Sequence, residues 1–123
     1  MEETRAPKPL VWIGPARSEV KNLPREVRRT MGIALWFAQL GSMLPRALPM
    51  KGNLAGVVEV RVDDDRSTYR LMYLAKLGGA VYVLSAFQKK AKSGVATPRH
   101  LLDRVEERLR QARTLHTQRG GPS

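Results

Sequence analysis

The sequence predicts an α+β domain: a small twisted antiparallel sheet with helices packed on it, in the order β-α-α-β-β-β-α. Three observations carry that expectation. Three consecutive runs between Gly56 and Lys90 alternate apolar with charged or polar residues, the joints between them are too short for a crossover helix, and two other stretches repeat apolar residues at helical spacing.

The three runs are Val57 to Val62, Tyr69 to Ala75 and Val81 to Phe87, rich in the β-branched and aromatic residues that suit a pleated surface. Asp63-Asp64-Asp65-Arg66-Ser67 is a polar turn cluster and Gly78-Gly79 a two-residue hairpin signal, so the runs form an antiparallel meander. Upstream, Leu10 to Ile13 is a short apolar run stopped by Gly14-Pro15, read as a buried strand that joins the meander. A short helix is predicted over Ala16 to Asn22, and Leu23-Pro24 marks its boundary.

From Pro24 to Leu40, Val27, Met31, Ala34 and Ala38 fall on one helical face, and Gly41 supplies a stop. Leu35, Trp36, Phe37 and Leu40 widen the apolar surface beyond that stripe, toward the sheet, the short helix or a partner. Ser42 to Leu54 is expected to be an irregular connector and Ala91 to Ala96 a mobile basic loop. Thr97-Pro98 reads as an N-cap followed by a first helical residue. Leu101, Val105, Leu109 and Ala112 then define a closing helix to about Arg113. One domain is expected over residues 10–113, with 1–9 and 114–123 as flexible termini.

Composition narrows the function. The chain has 123 residues and carries 22 Lys and Arg against 11 Asp and Glu, a formal charge of +11, which points to a polyanionic partner. From Ser85 to Arg113, Lys89, Lys90, Lys92, Arg99, Arg104, Arg108, Arg110 and Arg113 stand against Asp103, Glu106 and Glu107. Zero cysteines exclude disulfides and thiolate metal sites, and His100 and His116 are too few and too far apart for a convincing metal site. No run approaches the roughly 18 apolar residues of a membrane span, and Met1 to Arg5 lacks a signal-peptide pattern.

Glu59 and Arg61 alternate on one strand and share a face, with Arg70 on the next strand and Lys89 and Lys90 at the end of the third. Glu59 has two readings: a general base, or an ion-pair partner that orients Arg61 or Arg70. Tyr73 either stacks on a base or packs in the core, and so does Phe87. Arg104, Arg108 and Arg110 either hold phosphates or form a solvated face.

The order of elements, together with Gly56-Val57-Val58-Glu59-Val60-Arg61-Val62, Tyr69-Arg70-Leu71-Met72-Tyr73, Phe87-Gln88-Lys89-Lys90 and Thr97-Pro98, resembles the phage-derived HigB-like branch of the RelE/ParE toxin superfamily. The resemblance implies a RelE-like fold and a cytoplasmic type II toxin that cleaves mRNA on the ribosome without metal or cofactor. It also implies silencing by a HigA-like helix-turn-helix antitoxin. Residue by residue, the family's Glu-x-Arg falls on Glu59 and Arg61, its Tyr-Arg on Tyr69 and Arg70, and its Phe-x-Lys-Lys on Phe87, Lys89 and Lys90.

On this reading Glu59, Arg61, Arg70, Lys89 and Lys90 form the catalytic set, and Tyr73, Phe87, Lys92, Arg104 and Arg108 bind RNA. The Pro-rich segment before Gly56 departs from the family pattern. Two alternatives stay open: a ParE-like toxin that inhibits gyrase without cutting RNA, and a basic nucleic-acid-binding module without toxicity.

Overall fold

The computed structural model describes residues 6–65, 67–89 and 97–119. Five strands and three helices appear in chain order: β1 (Leu10–Trp12), α1 (Ala16–Lys21), α2 (Arg25–Gln39), β2 (Ala47–Pro49), β3 (Val57–Asp64), β4 (Ser67–Leu77), β5 (Ala80–Lys89) and α3 (Arg99–Gln118), with a 3₁₀ turn at Gly52–Leu54 before β3. The strands form one sheet in the order β1-β5-β4-β3-β2. The α+β class and the meander stand as the sequence predicts.

The sheet is mixed, which corrects the expectation of a purely antiparallel one. β1 lies parallel to β5, with Leu10, Val11 and Trp12 beside Val81, Tyr82 and Val83. Short joints force antiparallel pairing only on strands adjacent in sequence; the chain between β1 and β5 is long enough for a crossover. The connector after α2 is also more ordered than expected. Ala47–Pro49 pairs with β3, and Pro49 is tolerated because β2 is an edge strand.

Period-two alternation assigns the two faces. Val58, Val60, Val62, Leu71 and Tyr73 pack against Val27, Met31, Ala34, Leu35 and Ala38 of α2. On the opposite face, Val57, Met72, Leu74, Tyr82, Leu84 and Phe87 pack against Leu101, Val105, Leu109 and Ala112 of α3. Each fully buried aliphatic side chain of this kind contributes about 1.5–3 kcal/mol.

Helix ends show where local sequence rules hold and where tertiary contacts override them. Gly41 takes φ +85, its N–H donates to the Ala38 carbonyl, and the Ser42 N–H donates to the Phe37 carbonyl at 2.8 Å, so α2 stops in a Schellman motif at the glycine the sequence marks. At α3 the expectation shifts by one residue. Pro98 has ψ 143 and is itself the N-cap, while the Thr97 hydroxyl accepts a hydrogen bond from Arg70 and does not cap the helix.

The far end of α3 runs to Gln118, five residues beyond the expected stop. His116 is buried there beneath the β4–β5 turn. A Cβ on Gly78 would lie 2.6 Å from His116 Cε1, and Gly78 has φ +66, so both the turn and the packing need glycine. None of the helices among the described residues is long and apolar enough to cross a membrane.

Candidate functional site

The pleat brings Glu59, Arg61, Arg70 and Lys89 to one face. Arg61 lies directly opposite Arg70, Arg70 opposite Phe87, and Glu59 opposite Met72; Phe87 and Met72 belong to the core beneath α3, which fixes the side. Lys89 lies two residues beyond Phe87 on the same strand, opposite Thr68. The four meet at the end of the sheet where α3 begins, since Arg70 also reaches Thr97 just before that helix.

Their electrostatics are unequal. Arg70 and Glu59 form a buried ion pair, in which Arg70 Nη1 donates to Glu59 Oε2 and also to Thr97 Oγ1 at 3.3 Å. Glu59 is thus paired with Arg70, which fixes its carboxylate on this face. Arg70 Nε is buried without a hydrogen-bond partner among the described residues.

Arg61 is exposed, and it faces another guanidinium across the strands, an arrangement that costs stability unless an anion lies nearby. Burial lowers the pKa of Lys89 below the usual lysine value, and the positive charges of Arg70 and Arg61 lower it further against the opposing pull of Glu59. Three cations thus gather beside Glu59, with Asp63 at the turn end of the same face. Leu48 of β2, directly opposite Glu59 and 58% exposed, adds an apolar shoulder to this face. A face of this composition suits an anion carried on an organic group.

The remaining expected site residues are placed elsewhere. Tyr73 is 0% exposed in the core beneath α2, on the other side of the sheet from Arg70, which corrects its assignment to RNA. Burial raises its pKa, and its hydroxyl has no partner among the described residues. Tyr73→Phe is therefore expected to leave any RNA activity unchanged and to stabilise the fold by about 1 kcal/mol, read by urea denaturation.

Phe87 is likewise buried, closing the α3 core, and is not available to stack on a base. Arg108 is also buried: its Nη1 donates to Glu19 Oε1 at 2.7 Å and to the Leu84 carbonyl at 2.9 Å, so it is not a phosphate ligand. Arg104 stays partly exposed, 3.8 Å from Glu19 Oε2, and Arg110 pairs with Glu106 and Glu107 of its own helix. Lys90 and Lys92, with the loop from Ala91 to Ala96, lie outside the described residues. No group of three or more His, Asp or Glu among the described residues is placed to hold a metal ion.

Glu19 is the organising residue that the sequence does not reveal. Its Oε1 accepts from Ser85 Oγ at 3.0 Å, from the Ala86 N–H at 3.2 Å and from Arg108, tying α1 to β5 and α3. The signal lies on α3, where Arg108 falls among Leu101, Val105, Leu109 and Ala112 on the apolar stripe. A cation there needs a buried acceptor.

Fold and site together define a small basic α+β protein with a cationic patch at one end of its sheet. The chain belongs to the family described as Phage derived protein Gp49-like (DUF891), whose profile matches residues 18–110. No curated protein matches it by sequence. Among solved structures it is similar to a chain from the toxin-antitoxin complex RelBE2 of Mycobacterium tuberculosis, at 18% identity and a TM-score of 0.49, covering 73% of this chain and 100% of that one.

Proposed function

We propose that this protein is the toxin of a type II toxin–antitoxin system, an endoribonuclease of the HigB-like kind that cuts mRNA on the ribosome in the cytoplasm. Its partner on this reading is a HigA-like helix-turn-helix antitoxin. The observation that carries the reading is the convergence of Arg61, Arg70 and Lys89 on one face of the sheet, beside Glu59, on a chain of formal charge +11. Such a patch favours a phosphodiester and loses affinity steeply with salt.

The chemistry follows from these groups. The ribose 2′-oxygen attacks the adjacent phosphorus as its proton passes to Glu59, the bond to the 5′-oxygen breaks, and Lys89 protonates that oxygen. Arg61 faces the charge growing on the phosphorane, where a guanidinium fork fits two oxygens. Arg70 holds Glu59 in place. Lys90, which follows Lys89, completes the cationic set of this proposal.

Lys89 gives a pH test with a definite sign. An ammonium acid works while it is protonated, so cleavage is expected to fall as pH rises through its lowered pKa. Lys89→Arg keeps the charge and gives up the transferable proton. We expect kcat to drop about 10²-fold with KM nearly unchanged. A raised KM with kcat unchanged would mean that Lys89 only binds.

The direct test maps mRNA 5′ ends in a translating extract with wild-type protein and with Arg61→Ala/Lys89→Ala. New ends that need ribosomes and vanish in the variant are the expected result. Intact mRNA in the presence of folded protein, with relaxed plasmid in a gyrase supercoiling assay, would replace this reading by gyrase inhibition.

A further inference from the structure

Four residues are the nearest neighbours of Glu59 on its own face of the sheet. Val57, two residues back, and Met72, directly across on β4, are fully buried in the core beneath α3. Arg61, two residues on, and Leu48, directly across on β2, are exposed. Core therefore closes the carboxylate on two sides. It opens toward a cation on the third and an aliphatic side chain on the fourth.

Leu48 is more exposed than any other large hydrophobic residue among the described ones. An edge strand usually turns charge to the solvent, so a bare leucine there stands out. The strand that carries it is held from both faces. Ala47 is buried in the core beneath α2, the Met50 N–H donates to the Val57 carbonyl at 2.8 Å, and the Met50 side chain packs against the core beneath α3. Leu48 thus has a fixed place beside Glu59.

We propose that Leu48 is a specificity-determining residue: it receives the base of the nucleotide whose 2′-oxygen attacks, and biases cutting toward positions that follow a purine. This rests on the nuclease reading. Directly opposed residues stand about 4.5–5.5 Å apart at Cβ, and residues two apart on a strand about 7 Å, the scale of one nucleotide. With the ribose at Glu59 and its 3′-phosphate on Arg61, the base is left the Leu48 side, since Val57 and Met72 are covered. Leucine has no donor or acceptor and cannot read base edges. It rewards apolar area removed from water, and a two-ring purine offers more of that than a pyrimidine.

Full-length wild type, Leu48→Ser and Leu48→Trp are compared in a translating extract, by mapping mRNA 5′ ends and by initial rates over a range of message concentrations. For the wild type, purines are expected about five-fold more often than pyrimidines on the 5′ side of the cut, after correction for message composition. Leu48→Ser is expected to raise KM about ten-fold, to leave kcat within about two-fold, and to even out the bases. Leu48→Trp, a broader platform for stacking, is expected to sharpen the purine preference. All three should share one urea midpoint, because the position is exposed.

Cuts with the same base distribution in all three proteins would overturn the role of Leu48 and leave the nuclease reading standing. So would a fall in kcat with KM unchanged, or a urea midpoint that drops together with the rate. An absence of cuts with folded wild-type protein in an active extract would remove the nuclease reading itself, and this inference with it.

Discussion

Arg61→Ala is expected to slow RNA cleavage by about 10²- to 10³-fold and to leave the unfolding midpoint unchanged or slightly raised. The two halves of that result come from one geometry. Arg61 is exposed and stands directly opposite Arg70, so removing it relieves a like-charge pair and uncovers nothing buried. The same exposure leaves its guanidinium available to a phosphate, where a fixed cation stabilises the transition state most.

Arg61→Lys keeps the charge without the planar fork, and we expect an intermediate rate. Initial cleavage rates and urea midpoints on the same samples decide the matter. A midpoint that falls together with the rate would make Arg61 a structural residue and sink its assigned role.

The largest loss of stability is expected at Glu19. Glu19→Ala leaves Arg108 buried without its carboxylate and strips an acceptor from Ser85 and from the Ala86 N–H, at a cost of about 3–5 kcal/mol. That is a large share of the roughly 5–15 kcal/mol that holds an ordinary domain together. Adding Arg108→Leu should recover much of the loss, because the stranded charge goes with it.

Acid gives an independent reading of the same network. Burial pushes the Glu19 carboxyl upward, but the hydrogen bonds from Arg108, Ala86 and Ser85 and the charge of Arg108 outweigh it and hold the group below its ordinary value of 4.5. A carboxyl lowered in the folded state contributes stability that is complete above the unfolded pKa and is lost as pH falls through the folded one. Denaturation curves below pH 4.5 should therefore be steeper in pH for the wild type than for Glu19→Gln. Parallel curves would show that Glu19 stays protonated or unpaired.

What the sequence shows about this molecule is what alternation and helical spacing can encode. Val57, Glu59 and Arg61 alternate with Val58, Val60 and Val62, which is enough to predict the face that Glu59 and Arg61 share, and the short joints settle the meander. It is also enough to place Tyr73 on the side of Tyr69, away from Arg70, and the structure buries it there. Spacing cannot say how deep a residue lies, so Phe87 reads equally well as a core residue or a base platform until α3 is seen to cover it.

The parallel seating of β1, the end of α3 and the role of Glu19 depend on contacts between residues remote in sequence. Glu19 sits in a six-residue helix with no pattern of its own, and its partner Arg108 lies near the opposite end of the chain. The last turn of α3 is held by His116 against the Gly78 turn, a contact that composition near the C-terminus does not announce.

The seating of β1 also sets a schedule for the newborn chain. Leu10–Trp12 leaves the ribosome early, but the backbone groups it binds, around Val81 to Val83, are made much later, and Arg108 later still. Pairings that distant form slowly, since the intervening loop must close before they reward it. Lys89 joins the cationic face in the same late stage. The order of the strands therefore holds back completion of the cationic face until β5 has been made and paired.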